Sequence, residues 1–102
     1  MSKTRQFDAA EYLDSPETIA AYLSDAFQTN DPSYIAEAIG TVARARGMTT
    51  VAKDAGLSRE HLYRALSSEG HPEFGTVMKV LDSFGVHLQP EVTRLAGQKF
   101  RK

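Results

Sequence analysis

The residues with the clearest chemical capacity lie between Met48 and Leu66, in the order MTTVAKDAGLSREHLYRAL. Ser58 has the type and place of a helix N-cap. In a helix starting there, Arg59, Glu60, Tyr63 and Arg64 share one outward face, with His61 alongside. A guanidinium can give two parallel hydrogen bonds to O6 and N7 of guanine, and a carboxylate can accept from N4 of cytosine. Arg59, Glu60, Tyr63 and Arg64 are therefore candidates for contact with DNA bases. Arg44, Arg46, Thr49, Lys53, Ser58 and His61 have the types that suit phosphate oxygens.

Such a face needs elements that hold it out from the body. Ala52 is small where one helix must cross the next, and Gly56 has the backbone freedom that a short turn between helices demands. Val51, Leu57 and Leu62 have the spacing to plug the angle between the two helices. This is the layout of a helix-turn-helix whose second helix enters a major groove by its N-terminal turns. Two positions depart from the usual pattern. Ala65 stands where a larger aliphatic often closes the second helix, leaving Leu66 to take over that packing, and Met48 stands where a polar phosphate contact is common. An ordinary helical hairpin with a solvated charged face would share much of this composition. The charge favours the DNA reading: residues 41–67 hold five Lys/Arg against two Asp/Glu, a local +3.

Other chemistry has little support. The chain has no cysteine, which excludes a disulfide scaffold, a thiolate metal site and a thiol nucleophile. His61, His71 and His87 lie apart, none with a second ligand at i+3 or i+4, and there is no HExxH. No glycine-rich phosphate loop or nucleophile elbow is present. The expectation is a non-enzyme with no cofactor and no bound metal.

The remaining sequence reads as helices. Ser15-Pro16 and Asp31-Pro32 each place a capping side chain before a proline at the first helical position. Ile19, Tyr22, Leu23, Ala26 and Phe27 form one apolar stripe, and Ile35, Ala38, Ile39, Val42 and Ala43 form another. Gly47 ends the second of these helices, with Arg44 and Arg46 in its last turn. A short helix over 49–55 and one from Ser58 to about Ser67 follow. A loop over 68–72 leads to a last helix carrying Phe74, Val77, Val80, Leu81 and Phe84 inward and stopped by Gly85. Phe7, Tyr12 and Leu13 anchor a short N-terminal segment, helical or extended, and Val86–Leu88 could form a short edge strand. At 102 residues this is one small all-α domain of five principal helices, with or without that C-terminal strand. It divides into residues 1–30, an N-terminal segment and first helix packed on the domain; 31–88, the helix-turn-helix unit; and 89–102, a flexible basic tail. No apolar run approaches the roughly 20 residues of a membrane span, and the N-terminus does not read as a signal peptide.

The formal charge of −1 conceals a split. Residues 1–40 carry two Lys/Arg and seven Asp/Glu, and residues 41–102 carry ten and six, so the halves stand at −5 and +4. One half suits a cationic partner and the other an anionic one.

Residues 34–88 resemble a known family. The carrying strings are YIAEAIG at 34–40, VARARGM at 42–48, GLSRE at 56–60, Leu62-Tyr63, Ala65-Leu66 and Pro72-Glu73-Phe74, with TVMKV at 76–80. They resemble HigA-like antidote proteins (antitoxins) of bacterial addiction modules, within the lambda-repressor-like (XRE-type) helix-turn-helix class. Phe7, Tyr12-Leu13 and the string IAAYL at 19–23 extend the likeness, to about 80 of the 102 residues; the tail from Gln89 has none. The resemblance implies a dimeric, cytoplasmic protein bound to a palindromic double-stranded DNA operator. It implies a small basic toxin partner of the RelE/HigB type, an mRNA endonuclease that the protein neutralises while repressing the shared operon. By the same resemblance Arg59, Glu60, Tyr63 and Arg64 fall on the recognition helix. The acidic first 40 residues suit the cationic toxin by charge alone. A stand-alone prophage-type regulator without a toxin is the alternative, and an interaction module that no longer binds DNA is a third. No membrane partner is expected.

Overall fold

The computed structural model describes residues 9–67 and 69–93. Its regular elements are all helical: α1 (Ala9–Tyr12), α2 (Pro16–Phe27), α3 (Pro32–Arg46), α4 (Met48–Ala55), α5 (Arg59–Ala65) and α6 (Phe74–Ser83). The first is a single turn, so five helices of seven residues or more build the domain.

α2, α3 and α5 each start at a capping side chain. Ser15 Oγ accepts from the Thr18 amide at 3.2 Å, and Thr18 Oγ1 accepts from the Ser15 amide at 3.3 Å, a reciprocal capping box ahead of Pro16. Asp31 Oδ1 accepts from the amides of Ser33 and Tyr34 at 3.1 and 3.4 Å and opens α3 in the same way. Gly47 closes α3 and also opens α4, so these helices meet at one residue.

The core lies where α3 and α4 meet their neighbours. α1 and α2 pack on α3, while α4 packs on α3, α5 and α6. Leu13, Ile19, Leu23, Ile39, Val42, Val51, Leu62, Leu66, Val80, Leu81 and Phe84 are buried together. Burial of one such aliphatic side chain contributes about 1.5–3 kcal/mol. α3 approaches the end of α5 through Gly40, where a Cβ would stand 2.7 Å from the Leu66 carbonyl oxygen. Glycine is required there by space.

Three details differ from the sequence-based expectation. Phe74, assigned inward by its spacing, is 69 % exposed. It is the first residue of α6, and Thr76, Val80, Leu81 and Phe84 supply the buried face. Val86–Leu88 is not a strand. The Val86 amide instead donates to the Leu81 carbonyl at 3.1 Å and the Gly85 amide to Asp82 at 2.9 Å, closing α6 around Gly85 in the left-handed region. Tyr12 is 43 % exposed, and Leu13 alone of the described N-terminal anchors is fully buried. Phe7 lies outside the described residues, as does the tail from Arg94; Gln89–Thr93 are exposed and irregular.

Candidate nucleic-acid interface

α4 and α5 are joined by Gly56, Leu57 and Ser58. Gly56 has φ +72° and ψ +33°, the left-handed conformation that reverses the chain here. The Leu57 amide donates to the Ala52 carbonyl at 2.8 Å and the Gly56 amide to Lys53 at 3.2 Å, which ends α4 within one residue of the turn. Val51 and Ala52 are buried and Leu57 packs on the core from its edge, so the turn is held from inside. Ser58 Oγ then accepts from the His61 amide at 3.0 Å and caps α5.

α5 is held by few side chains. Leu62 and Ala65 are its buried residues, and Leu66 at its end is buried as well. Leu66 therefore takes the packing that Ala65 is too small to provide. Met48 is buried too and belongs to the core, not to a surface that could meet a phosphate.

Arg59, Glu60, Tyr63 and Arg64 are all exposed, as is His61. They form two couplets, each spanning one turn. Arg59 Nη2 donates to the Tyr63 hydroxyl at 3.2 Å, with its guanidinium carbon 5.4 Å from the ring centroid. Arg64 Nη1 lies 3.9 Å from Glu60 Oε2. That pair is open to water, its side chains 71 % and 87 % exposed, and such a pair contributes only about 0.3–0.5 kcal/mol. The i, i+4 spacing of each couplet was visible in the sequence, whereas the packing of Arg59 on Tyr63 depends on rotamers.

The candidate phosphate contacts surround this face less evenly. Thr49 in the first turn of α4, Lys53 in its last, and Arg44 and Arg46 at the end of α3 are exposed. Arg44 bends back along its helix: its Nη1 and the Leu66 carbonyl oxygen both lie within 3.4 Å of the Cβ position at Gly40. It thus stands beside the C-terminal end of α5, away from the Ser58 turn. The Ser58 hydroxyl already accepts the capping hydrogen bond. An open cleft of about 470 Å³ adjoins the same end of α5, lined by His61, Arg64, Ser67, His71 and Glu73 among others. The sequence places His71 in the loop over 68–72, which has no periodicity to bring it to this cleft.

No group of three or more His, Asp or Glu side chains that could hold a metal ion occurs among the described residues. No described helix is long and apolar enough to cross a membrane.

Comparison with known proteins gives a family. A family model described as "Probable addiction module antidote protein" matches residues 3–92. An uncharacterized protein of Haemophilus influenzae (strain ATCC 51907 / DSM 11121 / KW20 / Rd) is 46 % identical over 92 residues, covering 90 % of this chain and 95 % of that protein. No solved structure matches. The match extends past the described helices at both ends, and an antidote implies a toxin that it counters. On these grounds the chain belongs to the addiction module antidote family.

Proposed function

We propose that the protein is a homodimeric, DNA-binding antitoxin that neutralises a RelE/HigB-type mRNA endonuclease and represses the operon encoding both. In this reading α4, the Gly56 turn and α5 are a helix-turn-helix of the lambda-repressor-like, HigA-like kind, within the unit 31–88. Arg59, Glu60, Tyr63 and Arg64 meet base edges. Arg44, Arg46, Thr49, Lys53 and His61 meet phosphates, and the Ser58 hydroxyl serves the cap first. The observation that carries the reading is the outward face of α5: four side chains with base-reading chemistry, exposed together on a capped helix whose inward residues are buried.

Length supports the dimer. α5 has seven residues, about 10 Å of helix, and one such helix reads only a few base pairs. Two related by a dyad read a palindrome about one turn apart. The toxin is assigned by charge to the acidic residues 1–40, where a cationic nuclease is attracted before it docks. Both partners place the protein in the bacterial cytoplasm.

The test is a titration of the protein against its own upstream DNA and a scrambled duplex at two salt concentrations. The expected result is preference for the upstream DNA, lost in the Arg59→Ala/Arg64→Ala double variant. Each guanine contact contributes about 1–3 kcal/mol of discrimination. Equal, steeply salt-dependent binding to both duplexes would leave phosphate attraction alone. Absence of binding to either would remove the repressor reading. The antitoxin half is tested by co-expression with the neighbouring gene product: rescue of growth supports it, and continued mRNA cleavage with the antidote in excess counts against it.

A further inference from the structure

We propose that Tyr63, grouped above with the base-contacting residues, is instead a positioning residue: it holds the Arg59 guanidinium ready for a guanine and does not itself read a base. The inference rests on the DNA-binding reading above. The two residues are one turn apart on the exposed face of α5, and the ring lies under the guanidinium at 5.4 Å while the hydroxyl oxygen accepts from Nη2 at 3.2 Å. Two contacts of different kinds therefore fix one flexible side chain. A guanidinium has five N–H donors; one is engaged by the hydroxyl, and four remain, enough for a paired contact with O6 and N7.

The holder is neutral, and this separates the two arginines of the face. Arg64 has the Glu60 carboxylate 3.9 Å away, so an acceptor on DNA must compete with an anion for it. Arg59 has no carboxylate partner among the described residues. Tyr63 steadies it without reducing its charge, through the electron-rich ring face and a weak acceptor. The long arginine side chain otherwise loses rotamer freedom when it docks on a base. Holding it in advance removes part of that loss, and the ordering of one such side chain corresponds to roughly a two- to tenfold change in affinity.

A double-mutant cycle on the full chain tests the assignment, reading preference for the upstream duplex over a scrambled one. Tyr63→Leu is expected to reduce that preference roughly two- to tenfold. Tyr63→Phe, which retains the ring and loses the hydroxyl, should reduce it less. In an Arg59→Ala background Tyr63→Leu should change nothing further, because the group it positions is gone. Melting curves of the variants should coincide with that of the parent protein, since the Tyr63 side chain is outside the core. Equal losses from Tyr63→Leu in the presence and absence of Arg59 would show that Tyr63 meets DNA directly and overturn the proposal. An unchanged preference in Tyr63→Leu would overturn it as well. If the parent protein shows no preference for its upstream DNA, the DNA-binding reading fails and this inference fails with it.

Discussion

A methyl group added at Gly56 would meet no atom within 4 Å, yet the backbone there sits at φ +72°, which L side chains resist. At Gly40 the backbone is an ordinary helix and the obstacle is another chain segment, the Leu66 carbonyl at 2.7 Å. The two positions separate backbone strain from steric overlap. Gly56→Ala is expected to lower stability by about 1–2 kcal/mol through the left-handed conformation alone. Gly40→Ala should lower it by about 1–3 kcal/mol by forcing α5 away from α3. Thermal unfolding measures both. Amide chemical shifts add the distinction: only Gly40→Ala should move Leu62–Leu66 in the folded protein, and equal perturbation by both would contradict it.

At the level of the helix, α5 is too short to persist alone, since isolated helices of fewer than about 12–15 residues are marginal in water. It exists because Ser58 caps it and because Leu62 and Leu66 are buried. Ser58→Ala should therefore lower stability by about 0.5–2 kcal/mol, and amide exchange should accelerate first at His61, whose N–H loses its acceptor. A uniform acceleration across the domain would mean that the cap acts only through global stability.

What the sequence made legible follows the range of the forces involved. Ser15-Pro16, Asp31-Pro32, Gly56 and Ser58 act on their own few residues, and each does in the fold what its type predicts. The outward position of Arg59, Glu60, Tyr63 and Arg64 follows from period 3.6 once Leu62 is inside. The failures are long-range. Phe74 fits an apolar stripe, but at the very start of α6 it is left open to solvent, which spacing cannot reveal. Val86–Leu88 is the local exception: its composition is strand-like, but the cap that ends α6 takes the Val86 amide to the Leu81 carbonyl. Gly40 owes its role to a segment distant in sequence, the Leu66 carbonyl.

For the molecule as a whole, the division of charge is the property most open to measurement. Residues 1–40 stand at −5 and residues 41–102 at +4. α3 runs from the Asp31 cap to Arg46, 15 residues or about 22 Å, and joins the acidic stretch to the basic one. Arg44 stands by the far end of α5 and makes no ion pair among the described residues. As a phosphate contact it should act on every sequence alike. Arg44→Ala is expected to weaken binding to upstream and scrambled duplexes equally and to reduce the slope of log K against log salt by about 1. A sequence-dependent loss would instead place Arg44 at a base.

Only Leu62 and Ala65 of the seven α5 residues are buried, while positions 59, 60, 61, 63 and 64 face solvent. The architecture thus separates the scaffold from the lettering. Rewriting the outward positions leaves the hydrophobic framework as it stands, so under the proposed DNA-binding reading a duplicated copy of such a gene can acquire a new address through a handful of codon changes without passing through an unfolded intermediate. Under the same reading the partition makes the helix a cassette: residues 59–64, with Leu62 retained, are the segment to exchange when grafting another specificity onto this frame.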